Sequence, residues 1–540
     1  MRVARAALAC AVVVAVGVVL VSGGSDGGPR TPPALPGLPP PFLGTAVTGG
    51  GGMTAAVDAY GDVVDLRAPG PAGAALIDNS STRQAAGTVP ADTGIVPRVR
   101  RIGDGPAEPM WRADSVTQRY VAGTDVVRTV ARFSGDRGTR VVMTVAAVGE
   151  SLAVVVRTDA KGQTRGVPSI SADTTGGDRC ARERRAGQLH LLCGVGGAVP
   201  PFSGAAAGGR ITRACAGVIR SAVGGDRHWL GQSRPLGADA PAWARSMYRR
   251  SLLTIRALTS RRTGAVAAGA RDGWAYVWPR DAATAALALE ASGHPAEARA
   301  VAHFLTGLDL AAAARFDETG VPVPGRAAQG DATGWVDAAA AATDIPAPRR
   351  HLPWRDRADY QESSPGTYLG NAIAAAALNV AREFGTPRGL VRSAEDPGSG
   401  LDSAAGWAVR PFGLRSLYPR AERTLLQLLR QGTRFGITPG EGWEGGEDPW
   451  TAPTAWSAWA FAALSQPGGS GPRPNLHAVR EGEAHSRRAA LALLADLRRA
   501  STPAGDLPER VGVRTGIPTS TTPLLWSSAF AVLALRELWP

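Results

Sequence analysis

The sequence predicts a multidomain protein of the β + α type, an N-terminal antiparallel β-sandwich followed by an all-α domain shaped as a helical toroid. Three observations lead there. Short valine-rich runs alternating with polar residues recur through the first half, broken by glycine. The composition changes near Ala242, after which apolar residues recur at helical spacing. Several of the later helices are almost entirely Ala, Leu and Val, so they are apolar on most faces and must be buried against neighbours on two sides. Paired helices of that kind suggest a toroid rather than a simple bundle. A chain of 540 residues is also too long for one ordinary domain.

Residues 1–22 open with Arg2 and Arg5 and continue as an uncharged apolar run from Ala6 to Ser22, the pattern of an export signal. The run is near the lower limit for crossing a bilayer, and no small-x-small cleavage site follows it. Signal peptide and uncleaved membrane anchor therefore both stand. Either reading places the protein outside the cytoplasm, secreted or held at the membrane by residues 6–22. Residues 23–41, GGSDGGPRTPPALPGLPPP, are a Pro/Gly-rich linker of extended chain.

Residues 42–241 are assigned to the sandwich on runs such as DVVRTVARFS (125–134), TRVVMTVAAV (139–148) and ESLAVVVRTDA (150–160). Three cysteines lie beyond the apolar run, which in an oxidising compartment implies one disulfide and one leftover thiol. Cys180 and Cys193 can flank a hairpin, and Cys215 competes for either. No CxxC or Cys/His cluster offers a zinc site, while scattered loop carboxylates and carbonyls leave no readable spacing for calcium, so calcium stays open and no metal ligand is assigned.

Residues 242–540 form the helical domain, with helices expected at 243–261, 281–292, 295–312, 366–384, 420–431, 453–465, 485–500 and 522–538. The net charge of +13 is almost all arginine, Lys161 being the only lysine. These charges are scattered among acids instead of forming an aromatic-laced stripe, which argues against nucleic acid as a partner.

Four loops of this half concentrate polar and aromatic residues. In DGWAYVWPRDAATAALALE (272–290), Arg280 and Asp281 stand behind Trp274, Tyr276 and Trp278. A guanidinium fork and a carboxylate suit the hydroxyls of a sugar ring, and the aromatics suit its apolar face. The structural alternative is that Asp281 merely caps the following helix. In ADYQESSPGTYLGNA (358–372), Glu362 follows Tyr360 and Gln361, where enclosure by aromatics would keep it protonated for general-acid work; a solvated loop glutamate is the plain alternative. The loop 434–456 carries Trp443, Trp450 and Trp456, either a cleft mouth or helix packing. The stretch 506–535 carries Glu509 and Trp526. Two carboxyl groups, an Arg-Asp pair and aromatics are the parts of a glycoside-hydrolysing site. Glu362 and Glu509 are 147 positions apart, so only the fold can join them.

The order of these loops resembles glycoside hydrolase family 15, the glucoamylase and glucodextranase group, across residues 243–540, with a preceding sandwich as in bacterial members. Tyr276-Val277-Trp278-Pro279-Arg280-Asp281 resembles that family's aromatic-x-Trp-x-Arg-Asp motif, whose Arg-Asp pair holds the terminal glucose. Tyr360-Gln361-Glu362 resembles the general-acid motif. Pro508-Glu509 with Leu524-Leu525-Trp526-Ser527 resembles the base motif, and Asp448-Pro449-Trp450 with Arg434-Phe435 an Asn-Pro-Trp loop and its upstream Arg-Tyr. The resemblance implies an (α/α)6 toroid and an exported, inverting α-glucosidase that takes glucose from the non-reducing end of an oligo- or polysaccharide. Glu362 would be the acid and Glu509 the base, with Trp278, Arg280, Asp281, Tyr360, Arg434, Trp450 and Trp526 binding substrate and no cofactor required. Trehalose and isomalto-type glucans are neighbouring substrates. Two departures matter: Gln361 stands where the family has tryptophan, and the interval from Asp281 to Glu362 is short for twelve complete helices. The rival readings are a catalytically silent, membrane-anchored carbohydrate-binding protein and a cell-wall interaction protein using the sandwich.

Overall fold

The structure, a computed structural model, describes residues 45–79, 94–100, 106–134, 139–159, 169–174, 180–185, 187–194, 209–347, 352–467 and 476–540. The expected signal or anchor and the linker lie outside them. Among the described residues no helix is long and apolar enough to cross a membrane.

Among the described residues the alternating Val/polar runs form two antiparallel sheets, one of seven strands and one of six. The three strands expected from sequence are Val127–Phe133, Thr139–Val148 and Ser151–Asp159, consecutive neighbours in the six-stranded sheet, with Val145 opposite both Val127 and Val154. Alternation sends one set of side chains inward, so Val57, Val63 and Val99 of one sheet meet Met143, Val145 and Val154 of the other in a shared core. Cys180 and Cys193 face each other across a hairpin and are joined as a disulfide, which resolves the pairing that the sequence left open. Cys215 stays a buried thiol that donates to the Leu191 carbonyl, and burial pushes it up to about 12.

Cys215 belongs to a helix, Arg210–Gln232, that the sequence reading did not anticipate inside the sandwich segment. Its Gly217, Gly224 and Gly225 weaken helical propensity by roughly 1 kcal/mol each. Ile211 and Cys215 nevertheless seal Ala153, Val155 and Leu192 on the outer face of the six-stranded sheet, and that burial decides the conformation.

The helical region follows its periodicity closely. Expected helices are realised as Ala242–Ala257, Pro279–Ala291, Tyr418–Gln431, Thr451–Leu464 and Leu525–Leu538. The helix expected at 295–312 stops at Thr306, and the one expected at 485–500 begins earlier, as Leu476–Ala500. The run 366–384 is broken into Leu369–Ala374 and Val380–Glu383, because Ala376 and Asn379 adopt φ of 48° and 67° and end the right-handed turn between them. An unanticipated helix, Ala332–Ala342, buries Trp335 against Trp407 and Phe530 at ring distances of 5.2 and 5.9 Å. Thr451–Leu464 is buried on every face, as its composition required, and packs between Leu476–Ala500 and Leu525–Leu538.

The seven-stranded sheet rests on this helical core through Val47, Ala56 and Val64. Polar contacts fix the orientation. The Thr54 hydroxyl donates to the Ala257 carbonyl at 3.3 Å, and the Arg250 guanidinium lies 3.6 Å from the centre of the Tyr120 ring.

Candidate active site

A cavity of about 410 Å³ opens where five loops converge, each running into or close to a helix start, the one before Ala332–Ala342 supplying Arg315, Arg326 and Gln329. The loop before Pro279–Ala291 brings Trp274 and Trp278; the loop before Leu369–Ala374 brings Tyr360. The loop before Thr451–Leu464 brings Trp443 and Trp450, and the one before Leu525–Leu538 brings Glu509 and Trp526. Positions remote in sequence meet because the helices behind them pack on one core.

Arg280 and Asp281 form the floor, each 5 % exposed. Arg280 Nη1 donates to Asp331 Oδ2 at 2.8 Å and to Gln329 Oε1 at 3.0 Å, and the guanidinium lies 4.5 Å from the Trp526 ring centre. Asp331 and Gln329, which the sequence reading did not single out, thus hold the arginine rigid. The Asp281 carboxylate lies 3.7 Å from Arg280 Nη2. Burial raises its pKa to about 7, with Arg280 opposing the shift. The N-cap of this helix is Trp278, so Asp281 is not there as a cap.

Glu509 faces the same space. Its Oε1 accepts from Trp274 Nε1 at 3.3 Å and its Oε2 from the Ser520 hydroxyl. Its backbone is held on both sides, its N–H donating to the Thr521 carbonyl at 2.8 Å and its carbonyl accepting from the Thr451 N–H at 2.9 Å. Desolvation holds this carboxyl above its ordinary pKa, against the lowering effect of the Ser520 bond and of Arg510.

The Tyr360 ring packs 5.1 Å from Trp407 and 5.5 Å from Trp456, with its hydroxyl donating to Asp402 Oδ1 at 2.7 Å. The next two residues part company. Asp359 Oδ1 accepts the backbone N–H groups of both Gln361 (2.8 Å) and Glu362 (2.6 Å), which tightens the chain into a turn. Gln361 lines the pocket, its Nε2 donating to Asp402 Oδ1 at 3.1 Å while its Oε1 has no hydrogen-bond partner. Glu362 does not line it. Its carboxylate lies 3.5 Å from Arg392 Nη1 on the wall of a separate cavity of about 860 Å³.

The structure therefore assembles Trp278, Arg280, Asp281, Tyr360, Trp450, Trp526 and Glu509 around one pocket and leaves out two residues expected there, Glu362 and Arg434. Glu362 faces Arg392 instead, on the separate cavity. Arg434 lies 4.7 Å from the Phe435 ring and its carbonyl accepts from Arg499 Nε at 2.6 Å, outside the pocket. Three further arginines, Arg315, Arg326 and Arg510, do line it. Arg315 and Arg326 share the loop before Ala332–Ala342, and Arg510 follows Glu509 on another, so no sequence spacing marks the three as a group. Among the described residues no cluster of three or more His, Cys, Asp or Glu is arranged to hold a metal ion.

No family model and no curated protein matches the chain. Solved structures do. A bacterial glucoamylase complexed with acarbose aligns over 94% of this chain and 96% of its own, with a TM-score of 0.59 at 11% identity. A glucoamylase from Saccharomycopsis fibuligera aligns over 56% of this chain and 97% of its own, with a TM-score of 0.45 at 14% identity. A glycoside hydrolase family 15 glucoamylase from Hypocrea jecorina aligns over 52% and 68%, with a TM-score of 0.40 at 14% identity. The chain shares the fold of the bacterial glucoamylase, sandwich and helical region together.

Proposed function

We propose that this protein is a glucoamylase-type glycoside hydrolase of family 15, built on an (α/α)6 toroid, that takes the non-reducing-end glucosyl unit of an α-glucoside into its pocket. Hydrolysis would proceed with inversion, and Glu509 would be the base that activates water. The observation that carries this reading is the Glu509 carboxylate, oriented by Trp274 and Ser520, beside the Arg280–Asp281 floor. The motif order in the sequence and the shared fold support it.

Each group has a task that follows from its chemistry. Trp278, Trp450 and Trp526 offer flat apolar faces to the sugar ring, and the fixed Arg280 and Asp281 bond its hydroxyls. Desolvation raises the Glu509 carboxyl above its ordinary pKa and so strengthens it as a base. Export is part of the proposal and rests on Arg2, Arg5 and the apolar run 6–22.

One observation favours a second reading, a carbohydrate-binding protein without catalysis: the expected acid Glu362 lines a separate cavity, and the pocket wall carries Gln361. Proton NMR of the full protein with α-D-glucosyl fluoride and maltotriose separates the two. β-Glucose appearing first from either compound, and absent with Glu509→Gln, is the expected result. No glucose from either compound, with maltotriose still bound by calorimetry, would sink the hydrolase reading in favour of the second.

A further inference from the structure

Two features of the pocket point to the kind of leaving group it serves; the inference rests on the hydrolase reading above. The first is the missing acid. Glycoside hydrolysis ordinarily needs one carboxyl to protonate the departing oxygen and another to activate water. The carboxyl groups lining this pocket among the described residues are Glu509 and Asp281. Glu509 is committed as the base. Asp281 lies at the buried floor against Arg280, whereas the aglycone of a sugar held in a pocket must point toward solvent. The acid that the sequence offered, Glu362, lines a separate cavity, and the pocket wall carries its neighbour Gln361, whose amide has no acidic proton to give.

The second feature is positive charge. Arg315, Arg326 and Arg510 line the same pocket, and no ion pair joins any of them to a carboxylate among the described residues. Arg315 is steadied by main-chain carbonyls of Gly273 (3.4 Å) and Pro324 (3.2 Å) and by the Tyr276 ring at 4.9 Å, and its Nε is buried without a partner. Arg510 Nε is likewise buried and unpartnered, and Arg326 is exposed at the rim. Guanidinium groups that line a pocket with free donors are suited to an anion, phosphate above all, which they can bind through paired hydrogen bonds.

We propose that the pocket takes α-glucosides joined to their aglycone through a phosphodiester and cleaves the bond between glucose C1 and the phosphate oxygen. A water molecule attacks C1 and gives its proton to Glu509. The C1–O bond breaks, its electron pair leaving on the oxygen of a phosphate monoester dianion that the three arginines receive. The second ionisation of such a monoester lies near pH 6, so it departs at neutral pH without a proton. A sugar hydroxyl, a far weaker acid, could not. The lost acid and the gained cations thus answer the same chemical requirement.

The test compares methyl α-D-glucosyl phosphate diester, α-D-glucosyl fluoride and maltose on the full protein, read by phosphorus and proton NMR. Methyl phosphate and β-glucose should form from the diester at least ~100-fold faster than maltose is cleaved, the factor a general acid ordinarily supplies. Glu509→Gln should abolish the reaction. Arg326→Gln should lower the ratio of kcat/KM for diester over fluoride by about tenfold, the loss of one charge-assisted contact. Maltose cleaved as fast as the diester, or fluoride cleaved with the diester untouched, would overturn the phosphate assignment and leave the hydrolase reading standing. No turnover of any of the three would overturn both.

Discussion

The Tyr120 phenol of the β-sandwich donates to Asp506 Oδ2 at 3.0 Å, and Asp506 stands in the loop that carries Glu509. Arg250 completes the contact, 3.6 Å from the centre of the Tyr120 ring and 3.7 Å from Asp506 Oδ1. The sandwich is thus a buttress for the loop of the candidate base as well as a neighbouring domain. Burial raises Asp506 to about 6, with Arg250 and the Tyr120 bond opposing the shift.

Tyr120→Phe removes the donor and leaves the Asp506 carboxylate buried with one partner fewer. The expected loss is about 1–3 kcal/mol in denaturant unfolding. Its pH dependence has a definite sign. A folded-state pKa of about 6, above the ordinary carboxylate value, means the folded form binds more protons between about pH 4 and 6. Stability therefore declines as pH rises through that window. Losing the Tyr120 bond pushes the pKa higher still, so the variant's deficit should grow with pH. A deficit that is flat across pH 4 to 7 would refute this account.

Asp359 presents the same sign more strongly, since burial and the nearby Asp402 raise it to about 8. The folded protein holds it protonated at neutral pH, and stability should fall as pH rises from about 4 to about 8. Asp359→Asn keeps an oxygen for the Gln361 and Glu362 N–H groups. It should match the parent near pH 4 and exceed it in stability at higher pH, the gap growing by at most about 1.4 kcal/mol per pH unit. Thermal melts at several pH values decide the matter; an Asn variant less stable than the parent at pH 8 would count against it.

The base also predicts a pH profile. Because Glu509 must be ionised to accept a proton and its pKa is raised, kcat/KM for α-D-glucosyl fluoride should rise with pH through a midpoint above that of an ordinary carboxylate. Ser520→Ala removes a hydrogen bond that favours the charged form, so the midpoint should move to higher pH. A midpoint that shifts downward in this variant would assign the limb to another group.

Two tryptophans of the pocket should differ in what they contribute to stability, Trp526 serving both core and sugar and Trp443 the sugar alone. Trp526 is 5 % exposed, 4.9 Å from Trp456 and 5.7 Å from Phe530 in ring distance, so Trp526→Ala should cost about 3–5 kcal/mol by the usual penalty for emptying a core site. Trp443 is half-buried at the pocket edge, 5.7 Å from Trp450. Trp443→Ala should change stability by less than ~1 kcal/mol and weaken sugar binding by roughly tenfold. Unfolding curves beside calorimetric titration with maltotriose would show whether the two effects divide in this way.

Gln361→Glu puts a carboxyl on the pocket wall without changing the size of the side chain. With general-acid help worth about 10²–10⁴-fold, this variant should cleave maltose at least tenfold faster than the parent, with the gain lost again when Glu509→Gln is added. Equal gains with and without Glu509 would show that the new carboxyl acts alone.

Much of this molecule was legible in the chain because burial is written locally, in which faces are apolar. Alternating valines marked the strands of the six-stranded sheet, helical spacing marked most helices, and apolar composition marked Thr451–Leu464 as surrounded by neighbours. The aromatic and Arg-Asp loops also announced a pocket, and Arg280, Asp281, Glu509, Trp274, Trp278, Trp443, Trp450 and Trp526 meet there, while Trp456 is core. Where long-range contact outweighed local preference, the pattern misled: the glycine-bearing helix Arg210–Gln232 forms because a sheet face needs cover, and the run 366–384 breaks at Ala376 and Asn379. The choice between Gln361 and Glu362 was beyond sequence altogether. Adjacent residues have the same surroundings in sequence, and which one enters the pocket depends on a turn held by Asp359 and on Asp402, 41 positions away, receiving the Gln361 amide. Arg315, Arg326 and Arg510 became a cationic lining only when separate loops converged. The kinds of residue available were a property of the chain; which of them share a pocket was decided by packing, because side-chain direction and through-space charge are set by contacts that sequence distance does not encode.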